Sequence, residues 1–339
     1  MKLIFFSCQN FEKNIFQNAL KQRPFEEIQM VFQKERLNAD TAVLAKGFDG
    51  VVAFVNDQLD KACLEKLKTL EIRLILLRSA GFNHVDIQSA QDLKMPVYRV
   101  PAYSPEAVAE HAVALLLSLN RKIYKAYNRV REMNFSLEGL VGFTLSGKKV
   151  GVIGAGKIGQ NYAKIMSGFG CKILLYDPFE DTGFAESIGA RYVQLDALLA
   201  ESDVISVHCP LNEKTKYIIN RHNISQLKEN VILINTSRGA VIETKALISG
   251  LKNGQIGGAA LDVYEFESEL FFADHSAEVI QDDVIARLLT FPNVLITSHQ
   301  GFLTEEALQE IATVTLQNAL DFKKNGLKSK SINRILLEG

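Results

Sequence analysis

From Lys149 to His299 the chain repeats one pattern, a short apolar run that ends in polar residues or glycine, followed by a stretch with helical periodicity. Six such runs, KKVGVIG, CKILLYD, DVISVHC, NVILINT, IGGAALD and NVLITSH, are near-continuously apolar rather than alternating. That is the pattern of parallel strands covered on both faces. Helices are expected between them at 157–168, 195–200, 222–227, 243–252 and 281–290. Residues 265–282, EFESELFFADHSAEVIQD, interrupt the alternation and read as a loop with short helical turns.

A shorter α/β series precedes it, with strands at 2–6, 50–55 and 73–77 and an edge strand at 28–32. Between the two series, Val108, His111, Ala112, Leu115, Leu116 and Leu119 recur at helical spacing, so one long helix is predicted over 105–130, with Pro105 in its first turn. A last helix, 304–323, begins at the Thr304, Glu305, Glu306 capping signal and lies beyond the sixth strand, so it returns to the first domain. The expected fold is therefore α/β, two Rossmann-like domains with parallel sheets, the second inserted into a flavodoxin-like first. The boundaries fall at 1–102 with 300–339 for the first domain and 103–299 for the second, with a cleft expected between them.

Composition serves as exclusion. A net charge of -1 and a pI near 6.6 argue against a nucleic-acid partner and point to a small molecule. The longest apolar run, Ala112 to Leu117, is far too short for a bilayer, and Leu3 to Phe6 is too short for a secretory segment. Cys8, Cys63, Cys171 and Cys209 form no CxxC, which suits free thiols in a reducing cytoplasm. His84, His111, His222 and His275 show no metal-ligand spacing, so no metal is expected, and His111 reads as a packed helical histidine.

Gly154, Gly156 and Gly159 stand as GAGKIG between a strand and a helix, and Asp177 closes the next strand. The glycines permit a tight turn, backbone approach to a pyrophosphate and close helix packing, while a carboxylate at 177 would accept the adenosine ribose hydroxyls. With no Arg or Lys at 178–182 to receive a 2'-phosphate, NAD is expected over NADP. Adenosyl-methionine binders share the β-Gly-rich-α start but not the six-strand series, and no GK[ST] follows a glycine loop. Arg238, His299 and His208 each close or follow a strand, where open sheets bind ligands. A guanidinium suits a carboxylate with a neighbouring carbonyl, His299 is a candidate acid and base, and His208 a candidate cofactor contact. Asp262, Glu265 and Glu267 all follow GGAAL, and spacing does not choose a partner for the histidine among them.

Taken in order, RSAGFNHVD at 78–86, VPAYSPEAVAEHA at 100–112, GVIGAGKIG at 151–159, NTSRG at 235–239, LDVYEFE at 261–267 and SHQGF at 298–302 resemble the D-isomer-specific 2-hydroxyacid dehydrogenases, and within them the fermentative D-lactate group. The 267–284 excursion is similar to that group as well. The resemblance implies NAD-dependent reduction of pyruvate to D-lactate, with Arg238, Glu267 and His299 catalytic. It implies cofactor contacts at Gly154, Ala155, Gly156, Lys157, Ile158, Gly159, Asp177, His208, Cys209, Pro210, Thr236, Ser237 and Asp262. Substrate contacts are implied at Ser79, Ala80, Gly81, Tyr103, Arg238, His299 and Phe302, and association as a homodimer or homotetramer. Cys209 stands where an apolar residue is common, and Gln300 with Gly301 where other pairs are common. Two other readings are a broader enzyme acting on 2-oxoisocaproate or phenylpyruvate, and a dinucleotide-sensing module or corepressor. Retention of Arg238, Glu267 and His299 together argues against the last.

Overall fold

A computed structural model describes residues 1–329 and 331–335; of the segment expected to complete the first domain, 330 and 336–339 lie outside the described residues. The chain divides into two compact units, Met1–Ser104 with Phe302–Gly339, and Pro105–Gly301.

The second unit holds seven parallel strands, β6 (Lys149–Ile153), β7 (Lys172–Tyr176), β8 (Arg191–Tyr192), β9 (Val204–Val207), β10 (Val231–Asn235), β11 (Ile256–Leu261) and β12 (Val294–Ile296), after five in the first unit. Their order is β12-β11-β10-β9-β6-β7-β8. Six of them coincide with the six apolar runs. The two-residue β8 carries no periodic signal and was not expected. Strand order reverses at β6, which lies between β7 and β9, so the carboxyl ends of β6 and β9 form the switch point at which such sheets take ligands.

The helix expected over 105–130 is broken. It runs Pro105–Arg121, then resumes as Ile123–Arg131 after Lys122, whose φ of +50° is left-handed. Tertiary hydrogen bonds override local propensity here. Asn120 donates Nδ2 to the Phe143 carbonyl at 2.8 Å and accepts the Phe143 amide at 2.9 Å, while Lys122 Nζ reaches the Val141 carbonyl at 2.7 Å. The stretch expected as a helix at 222–227 is a single tight turn, Ile224–Gln226, and a short helix at Thr182–Ser187 was not expected. The 265–282 excursion contains one such turn, Glu267–Glu269. The final helix, Glu305–Asn325, is capped by Thr304 Oγ1 on the Ala307 amide at 3.2 Å. Among the described residues no helix is long and apolar enough to cross a membrane.

The first unit is a five-stranded parallel sheet of β1 (Lys2–Phe5), β2 (Gln29–Phe32), β3 (Gly50–Ala53), β4 (Leu74–Leu77) and β5 (Val97–Tyr98), in the flavodoxin-like order β2-β1-β3-β4-β5. Its core holds charged side chains as well, Arg78, Glu12 and Asp57. Arg78, at the end of β4, is 1% exposed, and its guanidinium lies 4.2 Å from the Phe5 ring centroid and 4.5 Å from that of Phe54. Nε donates to Glu12 Oε1 at 2.7 Å and Nη2 to the Ser7 carbonyl at 2.9 Å. Glu12 is itself buried, so the two form an ion pair inside the unit. Removing one partner strands the second in the interior. Glu12→Ala is therefore expected to cost about 3–5 kcal/mol in urea unfolding, and Glu12→Leu with Arg78→Met to lose less than that single change. Unchanged stability in Glu12→Ala would show that the pair contributes nothing.

Candidate active site

The loop after β6 is shaped by its glycines. Gly154 has φ +93°, and a Cβ there would lie 2.5 Å from the Cys209 amide nitrogen; a Cβ on Gly159 would lie 1.9 Å from the Gly154 carbonyl oxygen. By contrast, nothing approaches within 4 Å of a Cβ built on Gly156, so that face of the loop is open at the start of helix Lys157–Gly168. Asp177 accepts the Ala155 amide on Oδ2 and the Phe179 amide on Oδ1, at 2.8 and 2.9 Å. Two buried polar atoms nearby in sequence to these strand ends, Thr236 Oγ1 and His208 Nδ1, lack partners among the described residues. An open glycine at a helix N-terminus, a carboxylate closing the next strand and orphaned polar atoms after β9 and β10 fit a dinucleotide.

The loop after β10 presents Arg238. Asn235, which sequence reasoning passed over, folds that loop: its Oδ1 accepts the Ser237 amide and hydroxyl at 3.0 and 2.9 Å, and its Nδ2 donates to the Arg238 carbonyl at 2.9 Å. Gly239 lies so close to the loop after β11 that a Cβ would sit 2.1 Å from the Tyr264 carbonyl carbon. The Arg238 guanidinium meets no carboxylate among the described residues; Nη1 donates to the Ser237 carbonyl at 2.6 Å. It is thus a half-buried cation with most of its donors uncommitted.

The loops after β11 and β12 form one hydrogen-bonded assembly. His299 Nδ1 lies 2.7 Å from Glu267 Oε1, and Glu267 Oε2 accepts the Tyr264 amide at 2.8 Å. Of the carboxylates that spacing left open, Glu267 is the one on the histidine. Glu265 accepts instead from the Tyr217 hydroxyl and the Thr244 amide, holding neighbouring loops. The Nδ1 contact leaves Nε2 as the imidazole nitrogen available to a substrate.

Asp262 lies beneath that pair and is 1% exposed. Its Oδ1 accepts the Thr297 hydroxyl at 2.5 Å and the Gln300 amide at 2.9 Å, and its Oδ2 accepts the Gly301 amide at 2.8 Å. Its carbonyl accepts the His299 amide at 2.7 Å. His299 has φ +50°, a left-handed conformation that costs a non-glycine residue about 1–2 kcal/mol and persists where its surroundings impose it. Here Asp262 holds the backbone of the turn, through its carbonyl on the His299 amide and its carboxylate on the next two amides. Burial alone would push the Asp262 carboxyl up, but hydrogen bonds from His111 and Thr297 outweigh it and hold the carboxyl below its ordinary value.

In the first unit, the loop after β4 has its carbonyls engaged, with Ser79 accepting from the Val100 amide and Ala80 from Arg99. The amides of Ser79, Ala80 and Gly81 meet no acceptor among the described residues. Tyr103 and Phe302 are in edge contact at 6.2 Å between centroids, and Phe54 is 5.9 Å from Phe302. In the second unit Cys209 is buried, its thiol pushed up to about 11 by burial, whereas Pro210 is exposed.

Comparison with known proteins shows the family. Residues 113–301 match the family model described as D-isomer specific 2-hydroxyacid dehydrogenase, NAD binding domain. The chain is 51% identical to 2-hydroxyacid dehydrogenase A of Aspergillus oryzae over 339 residues, covering 100% of this chain and 96% of that protein. It is similar to the apo structure of D-lactate dehydrogenase from Escherichia coli, with TM-score 0.89, 43% identity and coverage of 99% of this chain and 100% of that one. A D-lactate dehydrogenase from Aquifex aeolicus, solved with NAD and lactic acid, matches with TM-score 0.86, 32% identity and coverage of 99% and 100%.

The setting of His208 has a measurable consequence. Nε2 is 2.8 Å from the Ser206 hydroxyl, the ring packs at 5.0 Å on Tyr162, and burial pushes the imidazole down from 6.5 to about 3. The unfolded chain therefore takes a proton below about pH 6.5 that the folded ring refuses, and stability falls as pH drops from there toward 3. Urea unfolding between roughly pH 6.5 and 4 should show a smaller pH slope in His208→Gln than in the parent, by at most about 1.4 kcal/mol per pH unit. Identical slopes would mean that this ring is not held neutral by burial.

Proposed function

The chain belongs to the D-isomer-specific 2-hydroxyacid dehydrogenases and transfers hydride with NAD, and from that premise we propose that it interconverts pyruvate and D-lactate. The observation that carries the reading is the 2.7 Å pair of His299 and Glu267 on a backbone turn fixed by Asp262. When bound, the nicotinamide supplies or accepts the hydride. Arg238 is assigned the substrate carboxylate and the adjoining keto oxygen, for which its uncommitted planar donors are suited. The acceptor-free amides of Ser79, Ala80 and Gly81 are assigned the carboxylate as well.

In reduction, His299 delivers a proton from Nε2 to the oxygen on C2 as negative charge develops there, and Glu267 on Nδ1 stabilises the imidazolium that must be present beforehand. In oxidation the same nitrogen, unprotonated, removes the hydroxyl proton. Asp177 is assigned the ribose hydroxyls, the 154–159 loop the pyrophosphate, and Asp262, with its remaining Oδ2 lone pair, the nicotinamide amide. Thr236, Ser237, His208, Cys209 and Pro210 complete the cofactor contacts proposed. Tyr103 and Phe302 limit the space for the substrate's side group, which favours a methyl over a branched or aromatic one.

Assembly with a second copy of this chain, as a dimer or tetramer, is supported by the helix Ile123–Arg131, which buries none of its residues, and by exposed Met133, Phe135, Leu137 and Val141 beyond it. Four free thiols suit a cytoplasmic location.

His299→Gln is expected to lower kcat for pyruvate reduction by roughly 10²- to 10⁴-fold, the contribution of a positioned acid. Arg238→Lys should lower kcat and raise KM together, since a point charge cannot replace the fork. Near-normal steady-state rates in both variants would end the assignment. NADH oxidation across pyruvate, 2-oxobutyrate, 2-oxoisocaproate and phenylpyruvate should give the highest kcat/KM with pyruvate and a product of D configuration; an L product, or preference for the bulky acids, would overturn the substrate proposed.

A further inference from the structure

His111 reads from sequence as a core histidine of the helix Pro105–Arg121, and the structure gives it a more particular position. Its Nε2 lies 3.2 Å from Asp262 Oδ1 and 3.2 Å from Thr297 Oγ1. The Thr297 hydroxyl hydrogen is already spent on Asp262, so Nε2 faces two oxygens that have no proton to offer it. Nε2 must therefore carry the hydrogen and donate to both. The ring also packs against the turn itself, because a Cβ on Gly301 would lie 3.6 Å from His111 Cδ2 and 3.1 Å from Asp262 Oδ2. His111 thus meets the carboxylate, the hydroxyl and the glycine on which the 297–301 segment is hung.

We propose that His111 is a positioning residue for His299, acting through Asp262 and Thr297 and touching neither substrate nor cofactor. This rests on the reading of His299 as the acid and base. Asp262 Oδ1 accepts three donors, from Thr297, Gln300 and His111, and only the His111 donor comes from outside the loops that carry the site. The helix, anchored by Ala109, Ala112 and Leu116 in the core, is the rigid body against which the carboxylate is oriented. Without that donor the carboxylate, still held by Thr297, Gln300 and Gly301, tilts slightly rather than turning out of its site, so the Oδ2 assigned to the nicotinamide amide stays in place. The Gln300 amide on Oδ1 follows that tilt, and with it the left-handed backbone that aims the imidazole. Displacement by a fraction of an ångström lowers turnover far more than binding, because proton delivery is demanding in geometry and the substrate carboxylate is gripped elsewhere.

The test is His111→Leu, which keeps the bulk and removes the donor, beside His111→Gln, whose amide nitrogen can reach the same oxygens. We expect His111→Leu to lower kcat roughly tenfold or more, with KM for pyruvate and the NADH dissociation constant from fluorescence titration each within about twofold of the parent. His111→Gln should recover most of the loss. Full kcat in His111→Leu, equal impairment of both variants, or a matching loss of NADH affinity would each overturn the proposal. Should His111→Leu not accumulate as folded protein, Thr297→Val carries the same expectation, and a normal kcat there would overturn it. His299→Gln run in parallel separates the two failures: if it is active, the acid itself is misassigned; if it is inactive while His111→Leu is normal, only the positioning role falls.

Discussion

One ionised carboxylate, that of Asp262, sets the geometry of the second unit's chemical face. It accepts four hydrogen bonds, from two backbone amides, a hydroxyl and an imidazole, so turning it breaks several contacts at once. The energetic logic is that of a buried charge made tolerable by complete solvation from the protein's own dipoles. The consequence is directional: a helix inside the core and the turn after the last strand are referred to the same two oxygen atoms. Precision at His299 is therefore inherited from the sheet and the Pro105–Arg121 helix rather than from the loop that bears it.

The parallel sheet explains why groups so distant in sequence lie together. Every strand of the second unit ends at the same edge, so neighbours β10, β11 and β12 deliver Arg238, then Asp262 and Glu267, then His299, side by side. Close approach between adjacent loops does the rest. Gly239 against Tyr264 and Gly159 against Gly154 are contacts that any side chain would prevent. Glycine at these places is a packing requirement, while at Gly156 it leaves room for something else.

Much of this was legible in the residues, and the remainder was hidden for identifiable reasons. The six apolar runs and GAGKIG announce themselves because burial on both faces and close backbone approach each leave a compositional trace. Strands β5 and β8 do not, since two residues have no period. The break at Lys122 was invisible because its cause, the pairing of Asn120 with Phe143, is a contact across the fold rather than a local preference. Spacing could not choose among Asp262, Glu265 and Glu267, because three acidic residues in one loop differ only in what they meet: a turn, a tyrosine or a histidine. Asn235 and His111 were missed as site residues for the same reason. Each acts on the backbone of a neighbouring loop, and no spacing rule encodes that.

The attachment of Asp177 to the Ala155 amide bears on how such a protein changes its coenzyme over evolutionary time. Under the assignment proposed for it, a single side chain both braces the glycine turn and sets the charge met by the adenosine ribose. Exchanging it for a neutral or cationic residue that welcomes a phosphorylated ribose also releases the brace. A lineage making that switch must acquire a new support for the turn in the same step or pass through a weakened ancestor, and the preference is for that reason conservative.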